Sequence, residues 1–340
     1  MAFATDAERD DFIKKLTPSI INSYNSCIVE GNKQGVTPQE PDFIAFLGND
    51  LTKNIQILLK NYSHIVKCET KGVFCHQSPK VKFTNPNPKQ KNCAELGDLL
   101  IVYTEKQNHT TKSRALLLQA KCVSSTPHII GSDEQHQLYL YQYWPEFEYS
   151  SPKKLIESIE LFKKNNKQNI KPHRHVDIKQ NPEGSVYLLL SKPPSQAITY
   201  KYATSIPNNL LKCKFELATA IGRMLHFDSD SGSDFELIPN YDPSKDYIQN
   251  DDWSNMINDI LYIGNNHFNR RRIGLEDKKR IFCFECNEFG QFSGDDIILS
   301  ANRDGKHDDM TDDGEFSGIF TLMINAVIDQ TIPPYEQRRY

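Results

Sequence analysis

Two short segments carry residue types suited to chemistry on a phosphodiester. In Glu95-Leu-Gly-Asp98-Leu-Leu-Ile-Val, an aspartate opens a mostly apolar run. In Leu116-Leu-Leu-Gln119-Ala-Lys121, a second apolar run ends in Gln-x-Lys. Side chains along a strand alternate faces, so Gln119 and Lys121 share one face and Ala120 takes the other. Pairing of the two runs as a hairpin brings Asp98 beside that face in one of its registers. Phosphodiester hydrolysis needs a hard divalent cation held by oxygen ligands, which lowers the pKa of its water and offsets phosphate charge. Asp98 offers a carboxylate, Gln119 an amide oxygen and Ala120 a backbone carbonyl. Lys121 offers a cation that can orient water or steady developing charge.

This layout resembles the PD-(D/E)xK nuclease superfamily, the restriction-endonuclease-like fold. The matching residues are Gly97-Asp98 and Gln119-Ala120-Lys121, and the likeness covers roughly residues 38–145. Glycine stands where the superfamily has proline, and glutamine stands where it has a second acid, as in branches that use Q-x-K. The resemblance implies Asp98, Gln119 and Lys121 as catalytic residues, and Mg²⁺ or Mn²⁺ as cofactor. It also implies a further carboxylate. Members often carry a glutamate on a helix before the sheet, where Glu40 lies; Glu95 and Glu69 are its rivals. Some branches carry Q-x-x-x-Y on the helix after the lysine, a pattern met by Gln137 with Tyr141 and again by Gln135 with Tyr139. The implied substrate is DNA, with RNA open.

The elements that must position these residues follow from periodicity and punctuation. A helix is expected over Ala7–Ser23, with Pro18 as a break or kink. Thr37, Pro38 and Glu40 form the pattern of a capping box with an early proline, opening a helix to about Asn61. That cap is also a sufficient reason for Glu40. Strands are expected over His64–Phe74, broken at Gly72, and over Lys80–Phe83, Glu95–Thr104 and Arg114–Val123, the last two joined by the turn Glu105–Ser113. A helix follows over Asp133–Tyr143. In the second half, helices are expected at Pro152–Asn165, Asn208–Phe227, Asp252–Ile263 and Glu315–Ile328. Strands are expected at Gly184–Ser191, Ile198–Ala203 and Lys279–Phe289. The fold class expected is α/β; the resemblance implies a restriction-endonuclease-like mixed sheet flanked by helices in residues 1–150, followed by an α+β region, 151–340, packed on it.

Charge is distributed unevenly about a net −4. Between Ser63 and Asn92 six lysines stand against one acid, Glu69; Lys67, Lys71, Lys80 and Lys82 among them could track a phosphate backbone. Between Asp228 and Asp259 nine acids stand against Lys245 alone. No run approaches the ~20 apolar residues of a membrane span. The polar N-terminal stretch has no signal pattern, so a cytoplasmic location and reduced cysteines are expected. Cys283-Phe-Glu-Cys286 lacks a second ligand pair and is a core feature rather than a zinc site. His173 and His175 lie in a polar loop, and Asp308, Asp309, Asp312 and Asp313 precede an apolar run. No phosphate-cradling glycine motif is present.

Two functions fit. One is a Mg²⁺- or Mn²⁺-dependent deoxyribonuclease, with a role in bacterial defence against foreign DNA implied by the resemblance. The other is a catalytically inactive nuclease-like fold that binds DNA or a protein partner, or assembles with its own copies.

Overall fold

Helix α1 (Asp6–Gln34) opens at Thr5, whose hydroxyl accepts from the Glu8 N–H at 3.2 Å, and closes on Gly35 in the left-handed region. Pro18 lies inside it without ending it. Its ring sits on the exposed side, where solvent rather than protein faces the turn that loses a bond. Helix α2 (Glu40–Leu59) starts later than the Thr37 pattern predicts. Its cap is Gln39, whose N–H donates to Asp42 Oδ2 at 2.8 Å. Asp42 takes the role expected of Glu40, and the Glu40 side chain is released for another use. This computed structural model of the 340-residue chain describes residues 2–76, 79–166, 182–248, 251–272, 281–299, 318–329 and 331.

The strands are β1 (Ile65–His76), β2 (Lys80–Phe83), β3 (Cys93–Glu95), β4 (Leu99–Gln107), β5 (Thr110–Val123), β6 (His128–Ile129), β7 (Phe147–Ser151), β8 (Ser185–Ser191) and β9 (Tyr202–Ser205). They continue with β10 (Leu210–Leu211), β11 (Phe215–Glu216), β12 (Ser233–Asp234), β13 (Ile281–Cys286), β14 (Phe292–Gly294) and β15 (Gly318–Ile328). The remaining helices are α3 (Gln135–Tyr143), α4 (Lys153–Asn166), α5 (Leu217–Leu225) and α6 (Asp252–Arg272). Among the described residues one mixed sheet runs β11-β9-β8-β5-β4-β15-β1-β13-β14, with β12 also paired to β5. The pairs β15/β4 and β5/β8 are parallel and the others antiparallel. A small sheet, β3-β2-β7, and the pair β10-β6 lie apart from it.

Each face of the main sheet carries a core. One gathers Leu99, Ile101, Leu116, Leu118 and Ala120 with apolar residues of α1, α2 and α5. The other gathers Leu100, Val102, Ala115 and Leu117 with α3, α4, α6 and the small sheet. The alternation expected of β4 and β5 is therefore present, and both faces are buried. The result is an α/β molecule with helices on both sides of a mixed sheet. No helix among the described residues is long and apolar enough to cross a membrane.

Several expectations need correction. Residues 318–328 form β15, not a helix, in the middle of the sheet between β1 and β4. A strand buried on both faces is a near-continuous apolar run, which periodicity cannot separate from a buried helix. The expected helix Asn208–Phe227 is two short strands, β10 and β11, and then α5. The expected strand at Ile198–Ala203 is β9, shifted to Tyr202–Ser205. Gly72 does not break β1. A Cβ there would overlap the Phe320 ring, as would one at Gly48 of α2, so the two glycines form a slot that lets helix and sheet close over that ring. The β4–β5 turn is tighter than the polar segment implies, with Gln107 paired to Thr110 and Asn108 in the left-handed region. The division at residue 150 also crosses the sheet, since β8, β9, β13 and β15 share it with β1, β4 and β5.

Candidate active site

The β4–β5 ladder ends at the pair Leu99 and Leu118. One step further on, Asp98 stands opposite Gln119, with the Asp98 N–H bonded to the Leu118 carbonyl at 2.9 Å. Past this point β5 continues while β4 has ended. The Ala120 and Cys122 N–H groups are thus left without β4 partners, and two carboxylates take them. Asp98 Oδ2 accepts from Ala120 at 2.6 Å, and Glu40 Oε2 accepts from Cys122 at 2.9 Å. Two residues along a strand separate these N–H groups by roughly 6–7 Å. Glu40, on the first turn of α2, is therefore brought to the same strand end as Asp98.

The Gln119 amide nitrogen donates to Asp98 Oδ2 as well. Its oxygen, Oε1, is buried and has no hydrogen-bond partner among the described residues. An unmet buried amide oxygen costs about 1–3 kcal/mol, so the site holds an acceptor that a ligand would satisfy. Lys121 Nζ binds Glu134 Oε1 at 2.8 Å, at the N-terminus of α3. Glu95 lies on β3 with Lys80 Nζ at 3.8 Å.

The electrostatics follow from this crowding. Burial, then the charges of Glu40 and Glu95, hold the Asp98 carboxyl well above the usual carboxylate range; the Ala120 N–H and Lys121 oppose them without prevailing. Burial would lower the Lys121 pKa, but Glu40, Glu134 and Asp98 outweigh it and the ammonium is held above its ordinary value. Lys121 is thus a fixed cation at neutral pH. Among the described residues, Asp98, Glu40, Glu95 and Glu134 share this region with the amines of Lys121, Lys80 and Lys192. No three His, Cys, Asp or Glu side chains among the described residues form a ready metal cage. The oxygen donors at hand are one carboxylate, one orphaned amide oxygen and a second carboxylate two strand positions away.

Other residues singled out from the sequence are dispersed. Glu69 lies on β1, which β15 separates from β4. Lys67 and Lys71 are on that same strand, paired with Glu288 at 2.6 Å and Glu285 at 3.7 Å. Lys80 and Lys82 are on β2 of the small sheet, and Lys82 is exposed. Lys67 and Lys71 are therefore on one sheet and Lys80 and Lys82 on another, with Lys89 and Lys91 in the β2–β3 connection, and the six do not make one basic track. Tyr141 is 2% exposed, and its hydroxyl donates to the Leu96 carbonyl at 2.9 Å. It braces the turn before Asp98 and offers no face to a base. Gln137 is half-buried, with an unpartnered Oε1. Gln135 donates to the Ile130 carbonyl, and the Tyr139 ring lies between Phe83 and Tyr143. The glycine at 97 has a local reason: a Cβ would stand 2.8 Å from Leu117 Cδ1 and 2.9 Å from the Tyr141 hydroxyl. The pairs His173/His175 and Asp308, Asp309, Asp312 and Asp313 lie outside the described residues.

Two site residues carry no sequence signal. Glu134 is an acid at a helix start, a position its dipole already explains. Tyr187 lies on β8 at the register position paired with Gln119. Its ring packs on Tyr141 with centroids 5.6 Å apart, and its buried hydroxyl has no partner among the described residues. In the run Ser185–Ser191 it resembles any core aromatic. No protein-family model, curated protein or solved structure matches this chain.

Proposed function

We propose that the chain is a Mg²⁺- or Mn²⁺-dependent nuclease acting on DNA, with its active site at the open end of β5, and that its fold is of the restriction-endonuclease-like kind. The observation that carries this reading is that Asp98 and Gln119 are bonded at the end of β5, where Glu40 and Lys121 also stand, and that the buried Gln119 Oε1 has no partner among the described residues. The position of Glu40 on a helix before the sheet, and of Asp98 and Gln119-Ala-Lys121 on neighbouring strands, agrees with the PD-(D/E)xK resemblance.

The donor set suits a hard cation. Asp98, Gln119 Oε1 and Glu40 would hold it through oxygen ligands of the kind a hard dication takes. When bound, the ion would supply a water of lowered pKa and charge neutralisation at the phosphate. Lys121, kept protonated by its carboxylate neighbours, can donate to a phosphate or water oxygen but cannot serve as a base. Gln119 sets the Asp98 carboxylate by donating to it, and the Ala120 N–H fixes the same oxygen from the backbone. The first turn of α2 holds Glu40 in place.

The inactive alternative draws on one observation. Asp98 and Glu40 close an otherwise open strand edge, a purely structural service. Cleavage of plasmid and linear DNA with Mg²⁺ or Mn²⁺ separates the two. The nuclease reading expects wild-type cleavage and its loss in Asp98→Ala and Lys121→Ala variants that remain folded. No wild-type cleavage with either ion would favour the binding fold, and cleavage surviving both substitutions would move the site elsewhere.

A further inference from the structure

The proposed site contains one donor that the reading above does not use. Tyr187 stands beside Gln119 across the parallel β5/β8 pairing. Successive strand positions alternate faces, and register partners on adjacent strands share one. Tyr187 therefore rises on the face that carries Gln119 and Lys121; burial pushes its phenol pKa up, Lys121 opposes that, and the charges of Glu134, Asp98 and Glu40 add to it. The side chain is fully buried and its ring is held against Tyr141. Yet the hydroxyl meets no acceptor among the described residues. Tyr141, by contrast, reaches the Leu96 carbonyl, so its hydroxyl is already spent.

We propose that Tyr187 is a catalytic residue of this site, donating its hydroxyl hydrogen bond to a non-bridging oxygen of the scissile phosphate. The inference rests on the nuclease reading and deepens it. A neutral donor is what this environment lacks. Lys121 and Lys80 are already engaged by Glu134 and Glu95, and the Gln119 amide is spent on Asp98. A donor locked by packing needs no reorganisation when charge develops on the phosphate, which is the condition under which such bonds contribute most. The Glu134 side chain is 31% exposed, against 11% for Lys121. A phosphate arriving at Lys121 displaces Glu134 from it and comes to rest over the Tyr187 hydroxyl.

The test is Tyr187→Phe, which keeps the ring and removes only the oxygen. Cleavage is measured with Mn²⁺ under saturating and limiting DNA, and thermal midpoints are measured without metal or DNA. The proposal expects kcat to fall about 100-fold, the scale of one lost oxyanion donor, with KM within about threefold of wild type. It expects the midpoint to stay equal or rise, because an unmet buried hydroxyl is gone. A variant that cleaves as well as wild type overturns the role of Tyr187 and leaves the nuclease reading standing. A fall in the midpoint of several degrees makes the hydroxyl a structural group and overturns the proposal too. Absence of cleavage in the wild type itself removes the nuclease reading, and this proposal with it.

Discussion

Asp98 and Gln119 face each other one step beyond the last ladder pair of β4 and β5, and the Gln119 amide donates to the same carboxylate oxygen that accepts from the Ala120 N–H. Two donors on one oxygen hold the carboxylate rigidly, yet it remains buried among other acids and its pKa is held high. The pair is thus fixed in geometry while burial and the neighbouring acids favour the protonated carboxyl.

The stability cost of that arrangement depends on pH. In the unfolded chain Asp98 ionises in the ordinary range, near pH 4. In the folded chain it holds its proton to higher pH. Its favourable contribution is therefore complete below about pH 4 and is lost as pH rises through the folded value. Asp98→Asn, neutral throughout, should raise the metal-free thermal midpoint at pH 7.5 by about 2–5 °C and give no gain near pH 4. Scanning calorimetry across that range checks it. Added Mn²⁺ should stabilise the wild type and leave the variant unmoved.

Gln119→Glu restores the acid usual in the resembled superfamily. A carboxylate is a stronger ligand than an amide, so Mn²⁺ affinity by titration calorimetry should rise about tenfold. The metal-free protein should become less stable, because the new charge faces Asp98 without the amide donor that now steadies it. A variant with unchanged Mn²⁺ affinity would show that position 119 does not face the ion.

Gly97→Ala places a methyl against Leu117 and the Tyr141 hydroxyl. Relief requires displacing Tyr141 from the Leu96 carbonyl, immediately before Asp98. Urea unfolding should show a loss of about 1–3 kcal/mol. Activity should fall more than a global destabilisation of that size explains, since the turn that aims Asp98 has moved.

Glu134→Gln removes the carboxylate that now occupies Lys121. A partly exposed ion pair of this kind is worth about 0.2–1 kcal/mol, so the KM for DNA should drop about two- to fivefold as the competing anion disappears. Steady-state kinetics at fixed ionic strength provide the measurement. A raised KM would mean that Glu134 helps to position Lys121 rather than to occupy it.

Asp98, Gln119 and Lys121 were legible as a group because strand alternation and hairpin pairing are local rules, and both hold here. Glu40 was half legible. Thr37 and Glu40 have the spacing of a capping box, but Gln39 and Asp42 form it instead, two residues further on. Such a shift depends on how α2 docks against the sheet. Tyr187 and β15 were not legible for a common reason. Both belong to strands covered on both faces, where polar and apolar positions no longer alternate, so a functional tyrosine and a core one have the same neighbours in sequence. The lysines between residues 63 and 92 form one stretch in the chain and two in space, because β1 and β2 join different sheets.

Strand β15, parallel to β4 and antiparallel to β1, sits between them, although more than two hundred residues separate it from them in the chain. This bears on when the site can exist. During synthesis Asp98, Gln119 and Lys121 emerge early, and their hairpin can form at once. Its flank on the β1 side stays an open edge until residues 318–328 have left the ribosome. Contacts this distant in sequence are late and slow to form. A chain stalled or clipped before β15 would hold every residue of the proposed site without the sheet that sets them. The geometry of the proposed site thus depends on a strand made long after the residues it positions.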